Sequence, residues 1–196
     1  MTGVQRTGVQ RTRLSKSEAL RSSRAHRPPD LVHGTWRSRV RHRPDPGGGG
    51  GSGRPEESTP LVLLVDDERS IRTICRVNLE GDGLAVNEAE DGAEALEEVK
   101  RKRPSLVLLD VMMPGVDGWS VAEQLAADEE TRGIPVVFLS ARASREDHLR
   151  AQDLGAVGYV VKPFDPIDLA GIVRDVLERV ARGEREQLNR ELSEQG

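Results

Sequence analysis

LVLLVDDE, residues 61–68, is a run of five apolar residues that stops on two aspartates and a glutamate. Five residues suit a strand better than a helix, and an uninterrupted apolar run suits a strand buried on both faces. The pattern returns three times. LVLLD (106–110) ends on Asp110, PVVFLS (135–140) ends on Ser140 and GYVVK (158–162) ends on Lys162. A weaker run, AVNEA (85–89), is only half apolar and reads as a strand at the sheet edge.

The stretches between these runs carry helical spacing. Residues 70–79 offer Ile71, Ile74, Cys75 and Leu79; residues 92–99 offer Ala93, Leu96 and Val99; residues 119–127 offer Val121, Ala122 and Leu125. A fourth helix starts near Ser144 and stops at Gly155, a residue suited to a helix C-terminus. Pro166 lies in the first turn of a fifth, where its missing N–H costs nothing, and Leu169, Ile172, Val173, Val176, Leu177 and Val180 form the buried stripe. Strand and helix alternate five times, which predicts an α/β domain over 59–182: a doubly wound (βα)5 fold with a parallel five-stranded sheet.

Outside that domain the composition changes. Residues 1–58 hold twelve Arg or Lys against five Asp or Glu, a formal +7, whereas the remainder is −11, together the −4 of the whole chain. This basic arm contains Pro28-Pro29, Pro44, Pro46 and the run Gly47–Gly51, and no sustained apolar period. It reads as a disordered arm with a glycine linker. Its charge also admits a second reading, in which the arm grips nucleic acid or another polyanion and the domain regulates that binding. Residues 183–196 are a charged extension, helical or frayed, with Leu188 and Leu192 as its only large apolar residues. No apolar run approaches the ~20 residues that span a membrane, so no membrane insertion is expected. Cys75 is the one cysteine, which excludes an internal disulfide and points to the cytoplasm.

Parallel strands of an open sheet end at one edge, where ligands bind. The strand assignments alone therefore bring Asp66, Asp67, Asp110, Ser140 and Lys162 together from positions nearly a hundred residues apart. Three clustered carboxylates repel one another unless a cation joins them. All candidate ligands are hard oxygens, which selects Mg²⁺. A carboxylate nucleophile, a metal, an ammonium and a hydroxyl are the parts needed to make an aspartyl phosphate. The chain has no Walker motif, and its four histidines lie in the arm or in a helix rather than at a strand end.

VDDE (65–68), LLDVMMPGVDG (108–118), LSA (139–141) and GYVVKPF (158–164) resemble the receiver domain of bacterial two-component response regulators. The resemblance implies a flavodoxin-like receiver fold with Asp110 as phosphoacceptor and Mg²⁺ held by Asp66, Asp67, Asp110 and the Met112 backbone carbonyl. It implies that Ser140 and Lys162 contact the phosphoryl group and that Tyr159 is the aromatic switch. The donor would be a sensor histidine kinase or a histidine phosphotransfer protein, met by the first helix. An unidentified downstream protein would read the face made by the fourth helix, the last strand and the last helix of the domain, and that face could also support a weak homodimer on phosphorylation. The receiver would catalyse its own phosphotransfer and dephosphorylation without being a conventional enzyme. Val157-Gly158 departs from the acidic pair often found there in the family. About sixteen residues follow Val180, which suggests a stand-alone receiver without a DNA-binding domain. A receiver acting as a scaffold without phosphate is a third reading, and the intact site residues argue against it.

Overall fold

The computed structural model describes residues 59–194; the arm and linker expected over 1–58 lie outside them. The elements alternate as β1 (Leu61–Val65), α1 (Arg69–Gly81), β2 (Ala85–Ala89), α2 (Gly92–Lys102), β3 (Leu106–Asp110), α3 (Gly118–Ala127), β4 (Val136–Ser140), α4 (Arg145–Asp153), β5 (Gly158–Val161) and α5 (Pro166–Ala181). A short helix α6 (Arg185–Glu191) and a 3₁₀ turn (Leu192–Glu194) follow. All strands are parallel in the order β2-β1-β3-β4-β5, so β2 and β5 are the edges.

Strand side chains alternate between two cores. Leu63, Val65, Val107, Leu109 and Phe138 face one way, where α2, α3 and α4 cover them. Val62, Leu64, Leu106, Leu108, Val137 and Leu139 face the other, beneath α1 and α5. A sheet covered on both faces needs apolar residues at consecutive positions, which is why its central strands read as unbroken runs. β2 has a helix-covered face but a free edge, and only Ala89 of its five residues is fully buried.

Side chains at the helix starts take up the unpaired N–H groups. Asp91 accepts from Glu94 N–H, Asp117 from Ser120 N–H, Ser144 from Asp147 N–H and Asp165 from Ile167 N–H. Gly155 stands in the left-handed region just after α4, as its position in the sequence suggests.

The structure departs from the periodic reading on the first two helices: on α2, Ala93 is exposed and Ala95 is buried. On α1, Ile74 is exposed and Arg72 is buried. At the C-terminus, α5 does not run on into the charged extension. Gly183 takes φ +79, a conformation that stops the helix, and the chain folds back as α6 with Leu188 and Leu192 in the interior.

Gly118 sits against the backbone of Asp110. A Cβ there would fall on the Asp110 carbonyl oxygen, far inside contact distance. Gly118→Ala is therefore expected to destabilise the domain by about 1–3 kcal/mol, the usual cost of overpacking. Urea denaturation followed by circular dichroism measures this, and an unchanged midpoint would show that the loop yields without cost.

Candidate functional site

The sheet ends where the sequence places its polar residues. Asp66 follows β1 and is fully buried, Asp67 beside it is exposed, and Asp110 closes β3 with 4% of its surface exposed. The three residues can each offer a carboxylate oxygen within 4.8 Å of the others. Lys162, just past β5, reaches back to them. Its Nζ lies 2.6 Å from Asp66 Oδ2 and 3.0 Å from Asp110 Oδ2. The adjoining loops lock the carboxylates: Glu68 N–H donates to Asp66 Oδ1 at 2.9 Å and Met112 N–H donates to Asp110 Oδ1 at 3.2 Å. The Met112 side chain points to solvent.

Ser140 ends β4 fully buried, and its Oγ accepts from Arg142 N–H at 3.1 Å. Tyr159, on β5, lies with its ring turned inward, and its hydroxyl donates to the Arg142 carbonyl at 3.0 Å. One residue of the β4–α4 loop is thus held by Ser140 from one side and by Tyr159 from the other.

Residues 62–174, more than half of the chain, match the response regulator receiver domain family. The chain belongs to that family. Similar proteins include a probable transcriptional regulator, ycf27, of Porphyridium aerugineum, 42% identical over 119 residues, which are 61% of this chain and 48% of that protein. The phosphate regulon transcriptional regulatory protein PhoB of Pseudomonas aeruginosa is 37% identical over 125 residues, 64% of this chain and 55% of its own length. This chain spans about half the length of the relatives it matches. Among solved structures, the chemotaxis protein CheY4 of Vibrio cholerae is 31% identical with a TM-score of 0.58, covering 61% of this chain and 99% of its own. A CheY-like receiver domain protein of Methanospirillum hungatei is 25% identical with a TM-score of 0.60, covering 64% and 99%.

The acidic cluster and its lysine match the phosphoacceptor arrangement of receiver domains. Such a cluster is consistent with the self-catalysed phosphoryl transfer typical of receiver domains. Burial pushes the Asp66 carboxyl above its ordinary range, and the hydrogen bond from Lys162 only partly offsets this. For Lys162 burial disfavours the charge, but hydrogen bonds to Asp66 and Asp110 outweigh it and hold the ammonium above its ordinary value. One ammonium faces three carboxylates in this receiver, and the remaining negative charge and hard oxygens suit a divalent cation such as Mg²⁺. Burial likewise raises the Tyr159 phenol, so it stays a hydrogen-bond donor.

Two residues escaped the sequence reading. Arg72 Nη1 donates to the Asp66 carbonyl at 2.7 Å, while Glu88 stands 3.8 Å from its buried Nε, which makes no hydrogen bond, and Glu90 stands 3.8 Å from Nη2. It fixes the peptide unit joining Asp66 to Asp67. Periodicity could not reveal it, because an Arg beside an apolar stripe reads as solvent-facing. His148 is buried on α4 against the Tyr159 ring, with centroids 4.4 Å apart, and its Nδ1 is 3.0 Å from the Ser144 carbonyl. No local signal marks it, since only the packing of α4 on β5 brings it to Tyr159.

Ionising the buried Asp66 carboxyl works against folding. Its folded-state pKa is raised, so its contribution favours folding below the unfolded value and is lost as pH rises through the folded one. Without Mg²⁺, Asp66→Asn is expected to raise Tm at pH 7 by roughly 3 °C, the shift that about 1 kcal/mol gives in a chain of this size. The gain should shrink as pH falls toward the ordinary aspartate range, and calorimetry across pH reads both. Arg72→Met, which keeps the bulk but frees the Asp66 carbonyl, should weaken Mg²⁺ binding about tenfold, as loss of an outer-shell partner does. Titration calorimetry measures that, with Arg72→Lys expected to recover part of it.

Proposed function

We propose that Asp110 accepts a phosphoryl group from the phosphohistidine of a sensor histidine kinase or histidine phosphotransfer protein, and that the domain relays this event to a downstream protein. The observation that carries this reading is Lys162 spanning Asp66 and Asp110 beside Asp67, with the Ser140 hydroxyl at the same sheet edge. An Asp110 carboxylate oxygen attacks the phosphorus, the P–N bond breaks, and its electron pair stays on the imidazole nitrogen, which ends protonated by solvent. Hydrolysis by water returns the carboxylate.

Asp66, Asp67, Asp110 and the Met112 carbonyl would hold Mg²⁺, which when bound neutralises charge on the phosphoryl oxygens. Lys162 already sits 3.0 Å from Asp110 Oδ2 and is placed to pair with a phosphoryl oxygen once one is attached. Ser140 accepts from Arg142 N–H, which leaves its own proton free for another phosphoryl oxygen. Drawing Ser140 toward Asp110 pulls on Arg142, and the Arg142 carbonyl holds the Tyr159 hydroxyl. The signal then passes to α4 through the contact of His148 with Tyr159, and the side formed by α4, β5 and α5 is the one that partners read.

Around the site, Met112 lies just past β3, Ile167 at the start of α5, and Ile74 and Val77 on α1, all exposed and apolar. Such a surface suits the apolar flank of a helix that carries the donor histidine. The cytoplasm, where thiols stay reduced, is the compartment in which the free Cys75 and a kinase donor would meet this domain.

Acetyl phosphate or a phosphohistidine donor, with Mg²⁺, should add one phosphoryl group to the intact chain, and Asp110→Asn should add none. Intact-mass spectrometry at neutral pH reads this directly. A phosphorylated peak of equal height in the Asn variant would assign the acceptor elsewhere.

A further inference from the structure

α4 is lightly anchored by its own side chains. Of its nine residues only His148 and Ala151 are buried, and its one leucine, Leu149, is exposed. A helix that buries so little takes its position from whatever else fastens it.

Asn189, on α6, fastens it. Its Nδ2 donates to the Gln152 carbonyl in the last turn of α4 at 2.9 Å and to the Ala156 carbonyl just before β5 at 2.8 Å. Gln152 lies one helical turn after His148, and Ala156 lies three residues before Tyr159. One amide group therefore bridges the two segments that carry His148 and Tyr159, whose rings stack with centroids 4.4 Å apart. Asn189 and the stacked rings close the same seam between α4 and β5 at two places.

The segment that carries Asn189 is itself held at several points. Arg179 on α5 meets Glu184 through Nε at 3.0 Å and forks onto Glu191 at 2.9 and 2.7 Å. Arg185 donates to the carbonyls of Arg132 and Gly133 before β4. Leu192 lies in the same core as Ala151, Ala156 and Tyr159, while Leu188 lies in the opposite one. The segment falls outside the receiver family match, which ends at residue 174.

We propose that residues 184–194 are an intrachain clamp on the α4–β5 seam, which keeps the Tyr159 ring inward and so keeps the β4–α4 loop in place. The Tyr159 hydroxyl carries that restraint to the loop through the Arg142 carbonyl at 3.0 Å. Moving α4 off β5 takes His148 from the ring and breaks the Asn189 bonds together, so the two contacts support each other. Without the clamp, two buried side chains are left to position α4, and the ring loses its cover. The inference concerns the resting position of Tyr159 and stands whether or not Asp110 is the phosphoacceptor.

Tyr159 is the single tyrosine of the chain, so labelling the full chain with 3-fluorotyrosine places one fluorine resonance at this ring. Without Mg²⁺ or a phosphoryl donor, the wild type should give a line displaced from that of the denatured chain, with little shift between H₂O and D₂O. Asn189→Ala removes both bridging bonds. The double variant Asn189→Asp/Glu191→Arg sets a carboxylate against the two carbonyls and a second guanidinium against Arg179, which frees the segment at both holds. Amide exchange across 185–192 reports release, and exchange in β1 and β3 reports that the sheet stays folded. In the double variant the line should move toward the denatured position and gain the solvent isotope shift, with Asn189→Ala between the two. An unmoved line in the double variant, once its 185–192 amides have lost protection, overturns the proposal. So does a solvent-exposed line in the wild type while those amides stay protected. Where the sheet amides of the double variant exchange as well, Asn189→Ala decides alone, and an unmoved line there overturns the proposal.

Discussion

The Lys162 ammonium, lying between the buried carboxylate of Asp66 and the nearly buried one of Asp110, sets the terms for the rest of the molecule. Removing a carboxylate from water is costly, and three of them at one sheet edge compound the cost. A single lysine from the last strand offsets part of it, which ties β5 to β1 and β3 across the sheet. Backbone donors at Glu68 and Met112 and the guanidinium of Arg72 then fix the loops that carry the acids. The site is held in place while its charge stays unbalanced, and that is the condition for binding a cation and a phosphoryl group.

From this centre one route of direct contacts runs toward α4. Ser140 and Tyr159 hold the amide and the carbonyl of the same residue, Arg142, and the Tyr159 ring lies on His148 of α4. Phe138 continues the packing from Tyr159 toward Trp119. A displacement at Ser140 therefore meets a loop held at two points and a packed aromatic group, which transmit movement better than a loose loop would. The inward position of Tyr159 completes this chain of contacts.

The C-terminal segment bears on the same region from the opposite end. It fastens the last turn of α4 through Gln152 and the start of β5 through Ala156, at the end of the sheet away from the acids. α4 is thus held by His148 against Tyr159 and, in its last turn, by Asn189 on the Gln152 carbonyl. Nine residues of helix between two such anchors form a short, stiff lever.

Much of this was legible in the residues. The apolar runs gave five strands, AVNEA was recognisable as an edge strand because only half its positions are apolar, and parallel topology obliged Asp66, Asp67, Asp110, Ser140 and Lys162 to converge, since all parallel strands end at one edge. The start of α4 at Ser144 and its stop at Gly155 were marked too, by a side chain that takes up an unpaired N–H and a residue free to adopt positive φ. What periodicity could not give was the inside of α1 and the course of the chain after Gly183. Ile74 and Arg72 exchange their expected places because the Asp66 carbonyl needs a donor more than the core needs another isoleucine. Leu188 and Leu192 left the extension readable as helical or frayed, because the cores they join are built from residues on other elements, such as Ala151, Ala156, Val157 and Val176. The sequence by itself determined the sheet, its edge and the chemistry gathered there, since these follow from local periodicity and the parallel rule. Only the tertiary structure decided where Arg72, His148 and the C-terminal segment pack, because their positions rest on contacts between elements that no local pattern encodes.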